Sequence, residues 1–141
     1  MRLNFIEFTD YLRKVSFEGG SRLSFLANLL RKHVNQDNVL GFYPKNIFVE
    51  DKDVEVYVFE DNKVTIFLNT GSQVIIKVLK YEHLNRLELQ YEKKDQMIIN
   101  LEIRFTTGDE IVLNNALDAN SNWSDKYEAE IQGIFTLLKK D

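Results

Sequence analysis

The apolar residues of this chain change their spacing twice. Up to about residue 38 they recur every three or four positions, from about 39 to 115 at every second position, and after about 122 at the helical spacing again. A helix buries one stripe at a period of 3.6, and a strand buries one face at a period of 2, so the chain must segregate helices from strands. That order predicts an α+β fold in which neighbouring strands, joined by short turns, pair antiparallel.

Phe5, Phe8, Leu12 and Val15 set a helix over about 4–15, broken at Gly19-Gly20. Ser21 is a good N-cap for a second helix carrying the stripe Leu23, Leu26, Leu30 and Val34, flanked by Phe25 and Leu29. Residues 1–38 are therefore expected to form a helical hairpin. Strand signals follow over 39–115: Ile47 with Val49, Val54 to Phe59, Val64 to Leu68 after the turn Glu60-Asp61-Asn62-Lys63, Val74 to Leu79, and Leu87 to Tyr91. The clearest strand is Met97 to Phe105, with Met97, Ile99, Leu101, Ile103 and Phe105 on one face, and Ile111 and Leu113 give a last short one. Tyr127, Ile131, Ile134, Phe135 and Leu138 make an amphipathic closing helix over 122–139, with Ser124 as its cap and Asp125 suited to the positive helix N-terminus. The expected architecture is a helical hairpin, an antiparallel bent sheet or partly open barrel of about seven strands, and a closing helix. No Pro-, Gly- or Ser-rich linker divides residues 1–141, so a single domain is expected.

Composition removes several function classes. With no cysteine among 141 residues there is no thiolate nucleophile, zinc finger, Fe–S cluster or redox pair. Glu7 and Asp10 arrive before any apolar stretch long enough for a signal peptide, and runs such as Val74-Ile75-Ile76 fall far short of the roughly 18 residues of a membrane span. No integral membrane segment and a cytoplasmic location are expected. The net charge is −4, with residues 1–38 at +2 and the other twelve basic and eighteen acidic residues giving −6. A polyphosphate partner prefers basic surface, so no nucleic-acid partner is expected. Leu40-Gly41-Phe42-Tyr43 matches part of an RNA-recognition motif, but the basic start is missing, and core packing accounts better for the seventeen aromatics.

The candidate chemistry is sparse. His33 follows Arg31-Lys32 at a predicted helix end, where a cation suits the dipole, and His83 lies in a polar kink beside Glu82. Asp118, Asn120, Asn122 and Ser124 alternate as oxygen donors like the start of a calcium loop, yet Trp123 and Ala129 stand where such a loop needs glycine and a bidentate glutamate. Glu50-Asp51-Lys52-Asp53 with Glu55 reads as a solvated turn rather than a cation site. There is no G-x-S-x-G, Walker A or G-x-G-x-x-G pattern. No catalytic, cofactor-binding or metal residue is assigned, no cofactor is implied, and a small-molecule enzyme is the least favoured class. The amphipathic first helix is expected to pack on its own sheet rather than on a membrane.

Tyr81-Glu82-His83-Leu84-Asn85-Arg86-Leu87-Glu88-Leu89, and Leu101 to Leu113 after it, resemble strands of bacterial pleckstrin-homology-like domains, and residues 47–139 share that family's order of strands and closing helix. The whole chain is also similar to small uncharacterised proteins of Gram-positive bacteria. The resemblance implies a PH-like bent sheet. Lipid-binding members place basic groups in the loop between the first two long strands, where this chain has Glu60-Asp61-Asn62-Lys63, so a phosphoinositide headgroup would be repelled. The expected function is a noncatalytic protein-interaction or scaffolding module, with homo-oligomers possible through a sheet edge. The alternative is an acidic inhibitor or immunity-type protein that neutralises a basic enzyme or toxin.

Overall fold

The computed structural model describes residues 3–19, 21–47, 49 and 52–140, with side chains described except at 13–19 and 21–22. Helices α1 (Phe5–Gly19) and α2 (Ser21–His33) come first, then strands β1 (Gly41–Lys45), β2 (Val54–Phe59), β3 (Lys63–Thr70), β4 (Gln73–Lys80), β5 (Leu84–Lys93), β6 (Met97–Phe105) and β7 (Glu110–Asn114), and finally helix α3 (Ser124–Lys139). The α+β class and the antiparallel pairing are as expected. The single seven-stranded sheet is not: the strands form one sheet in the order β1-β2-β3-β4 and another in the order β5-β6-β7.

The break falls at the 3-10 turn Tyr81–His83. Its first residue still donates to the β3 side, Tyr81 N–H to the Asn62 carbonyl at 3.0 Å, while its last accepts from the β6 end, Thr106 N–H to the His83 carbonyl at 2.7 Å. One backbone turn thus hands the chain from one sheet to the next.

The first strand is also corrected. Ile47 lies in a turn and Val49 in a bend, and the strand is Gly41–Lys45. Proline at 44 is tolerated because β1 pairs with β2 alone, so its missing N–H costs no ladder bond. Asn46, at φ 68°, then turns the chain out of the sheet in a conformation that asparagine tolerates better than most residues.

The four-stranded sheet is a middle layer. On one side Phe42, Val56, Val58 and Phe67 pack against Phe8 and Leu12 of α1 and Leu26, Ala27 and Leu30 of α2. The rings of Phe5 and Phe8 each meet Phe42 at 5.2 Å between centroids, and Arg31 of α2 bonds Asp10 of α1 at 2.6 Å. On the other side Tyr43, Tyr57, Phe59, Val64 and Ile66 meet Ile99, Leu101 and Ile103 of β6 and Tyr127, Ile131 and Ile134 of α3. Each fully buried side chain of this size contributes about 1.5–3 kcal/mol before conformational entropy is subtracted. The expected Ser124 cap is absent: α3 begins at Ser124 without a side-chain cap, and the Ser124 hydroxyl accepts from Asn115 Nδ2 at 3.0 Å. Gly20 and the side chain of Ser21, the expected break and cap of the hairpin, lie outside the description. Among the described residues no helix is long and apolar enough to cross a membrane.

Candidate functional site

Two sheets have four edges, and an edge strand presents backbone N–H and C=O groups that a neighbour would otherwise satisfy. Here the edges are β1 and β4 of one sheet and β5 and β7 of the other. Their treatment differs sharply.

On β1, the Phe42 N–H donates to Glu130 of α3 at 2.8 Å, Pro44 offers no N–H, and the Pro44 carbonyl accepts the Tyr127 hydroxyl. Glu130, only 1% exposed, also accepts from the Leu3 N–H at 3.2 Å. On β7, the Asn114 N–H donates to Asp118 at 2.7 Å and the Val112 carbonyl accepts the Lys45 ammonium at 2.7 Å. Asp118 then joins the two edges: its carboxylate accepts the Tyr43 hydroxyl at 2.7 Å, and its carbonyl accepts the Asn46 N–H at 3.1 Å. Burial pushes the Asp118 carboxyl up, against the pull of the Lys45 ammonium 4.0 Å away. Burial, then the neighbouring Asp118, pushes the Tyr43 phenol far up, so Tyr43 keeps its proton and remains the donor. Edges β1 and β7 are sealed by side chains, whereas β5, like β4, pairs on one side only among the described residues.

Among the described residues β4 has a strand partner on one side only. Antiparallel ladders alternate bonded and non-bonded pairs, so the Tyr81 N–H to Asn62 carbonyl bond sets the phase. Counting back in register, Leu79, Lys77, Ile75 and Gln73 bond to β3, and Lys80, Val78, Ile76 and Val74 turn their backbone groups outward, so the open edge carries three aliphatic positions and ends on a lysine. Val74, Ile76 and Val78 sit opposite Asn69, Phe67 and Thr65, on the face of the sheet that carries the helical hairpin. The hairpin covers the middle strands and leaves Ile76 37% and Val78 52% exposed, while Ile75 on the opposite face is 43% exposed. Lysines commonly guard such edges. Here Lys77 is drawn aside to Asp109 in the β6–β7 turn, at 2.9 Å.

The residues singled out from sequence do not converge. His33 is exposed at the end of α2, and His83 is exposed in the corner turn 3.8 Å from Glu82. Three of the four members of the calcium-like run serve the protein's own structure: Asp118 bonds Tyr43 and Asn114, Asn120 accepts the Trp123 N–H at 3.1 Å, and Ser124 accepts from Asn115. Among the described residues no cluster of three metal-type ligands occurs, and Glu50 and Asp51 lie outside the description. Sequence reasoning passed over Glu130 and Tyr127 as sealing groups. The signal was present in Glu130, a carboxylate set between Tyr127, Ile131 and Ile134 on the apolar stripe of a helix.

A family model described as "Protein of unknown function (DUF3908)" matches residues 5–129. The chain belongs to that family. The match runs from the start of α1 into α3, so it includes the hairpin, both sheets and the open edge. No curated protein and no solved structure matches the chain.

Proposed function

We propose that this protein is a noncatalytic protein-interaction module whose working surface is the β4 edge, which takes up an extended strand from a partner. The observation that carries this reading is the contrast in edge treatment: Glu130, Tyr127, Lys45 and Asp118 close β1 and β7, while Val74, Ile76 and Val78 present unpaired backbone beside exposed aliphatic side chains. In strand addition the main-chain bonds supply affinity and the alternate side chains supply selectivity. Each new backbone bond is worth about 0.5–1.5 kcal/mol net. The order of four strands, three strands and a closing helix also supports a PH-like arrangement of the sheets. β4 carries Lys77 and Lys80 and no carboxylate, so a basic toxin would not be drawn to this edge by charge.

The test is capture from a lysate of the source cells with the full chain as bait. Partners should be retained by a Leu117→Lys control on the exposed β7–α3 loop and lost by the Ile76→Lys/Val78→Lys double variant. Because Ile76 and Val78 are exposed, the double variant should melt within a few degrees of the parent. Partners that bind the double variant as well as the parent would overturn the reading.

A further inference from the structure

We infer that the strand taken up at β4 is the β4 of a second copy, paired antiparallel about a two-fold axis at Ile76. This rests on the reading of β4 as the docking edge and names its occupant. The argument comes from register. A two-fold antiparallel pair can only be centred on one residue meeting itself, and the outward groups of Val74, Ile76 and Val78 limit the centre to positions within this stretch.

Centring on Ile76 places Ile76 opposite Ile76, Val74 opposite Val78 and Ile75 opposite Lys77 of the second copy. Of the four residues with outward backbone, Val74, Ile76 and Val78 then match only one another, and Lys80 lies opposite Ser72 of the second copy. Their side chains all lie on the hairpin-bearing face of the joined sheet, so the exposed aliphatic strip of one copy covers that of the other. The apolar cross-strand pairs are of the stabilising kind, and no two lysines meet. Moving the centre to Lys77 sets Lys77 against Lys77 and Val74 against Lys80, which is unfavourable. Moving it to Ile75 sets Val78 against Ser72 and leaves its exposed surface unmatched. The arrangement is isologous and pairs two copies, because each protomer spends its β4 edge on the β4 edge of the other.

The chain has no cysteine, so one introduced thiol can crosslink only between copies. Directly opposed residues of a bonded antiparallel pair have Cα atoms about 5.5 Å apart, inside the range a disulfide spans. In the full chain, Ile76→Cys should form a disulfide dimer under mild oxidation roughly tenfold or more faster than Lys77→Cys or the exposed control Leu117→Cys, because the seam holds the thiols together. Sedimentation velocity of the parent should show a dimer that Ile76→Lys returns to monomer. A parent that stays monomeric up to about 1 mM overturns the inference, as does a dimer in which Lys77→Cys crosslinks faster than Ile76→Cys. A monomeric parent whose captured partners still require Ile76 and Val78 would reject the second copy and leave the docking edge standing. Partners indifferent to both residues would reject the docking edge itself.

Discussion

The two ends of the four-stranded sheet face the same physical problem and meet it in opposite ways. At β1 the outward N–H of Phe42 reaches a buried carboxylate, the next outward position is a proline, and a tyrosine hydroxyl takes its carbonyl. At β4 the outward groups of Val74, Ile76 and Val78 have no strand neighbour among the described residues, and the aliphatic side chains of Ile75, Ile76 and Val78 are exposed. A chain that seals two edges with four side chains has the means to seal another. On the proposed reading β4 is left open for use, since an exposed aliphatic edge otherwise carries a standing risk of aggregation.

The sharpest way to break the comparison is to unseal β1. Glu130→Ala leaves the buried Phe42 N–H without its acceptor and frees the start of the chain at Leu3. Losing charge-assisted bonds at a buried site should cost about 3 kcal/mol, read by urea unfolding, and should raise aggregation during refolding. Unchanged stability would mean that the seal at β1 carries no weight. Next in size is Gly41→Ala. A Cβ there would stand 3.0 Å from Ile134 Cγ1 and 3.2 Å from Phe59 Cβ, so the Ile134 side chain of α3 or Phe59 of β2 must give way slightly, at about 1–3 kcal/mol. A neutral result would show that α3 lies on β1 with slack.

The smallest effect is a difference of sign with pH. Asp118, at the sealed edges, has its carboxyl raised by burial; that contribution is fully present below the unfolded value and is lost as pH rises through the folded one. Asp109, beside the open edge, is held below the usual carboxylate range by the Thr107 hydroxyl and then by Lys77; its contribution is lost as pH falls through its folded value. Relative to Asp118→Asn, the parent should therefore gain stability on acidification. Relative to Asp109→Asn it should lose stability. Chemical denaturation at a series of pH values checks both, and equal slopes for the two variants would remove the electrostatic distinction between the edges.

How much of this was legible depended on how many faces an element buries. β6 could be read to the residue, because one face packs under α3 and the alternation of Ile99, Leu101, Ile103 and Phe105 survives in the sequence. β1 could not. Gly41, Phe42, Tyr43 and Pro44 are all buried, so alternation vanishes, and proline argues against a strand unless its edge position is known. The division into two sheets was equally hidden, since it falls at the Tyr81–His83 turn, whose backbone bonds reach Asn62 on one side and Thr106 on the other, both distant in the chain. Glu130 stood out as a charge in an apolar stripe, but its partners lie 88 and 127 residues away in the chain. β4 was correctly read as a strand. Its sequence, QVIIKVLK, could equally belong to a covered one, so its exposure emerged only from strand order.

Amide hydrogen exchange of the full chain, followed residue by residue at increasing protein concentration, tests the contrast directly. The Phe42 and Asn114 amides, although on edge strands, should exchange slowly at every concentration, while those of Ile76 and Val78 should exchange fast in dilute solution and slow down as copies pair. Ile76 and Val78 amides as protected in dilute solution as Phe42, or a fast Phe42 amide, would contradict the division into sealed and open edges.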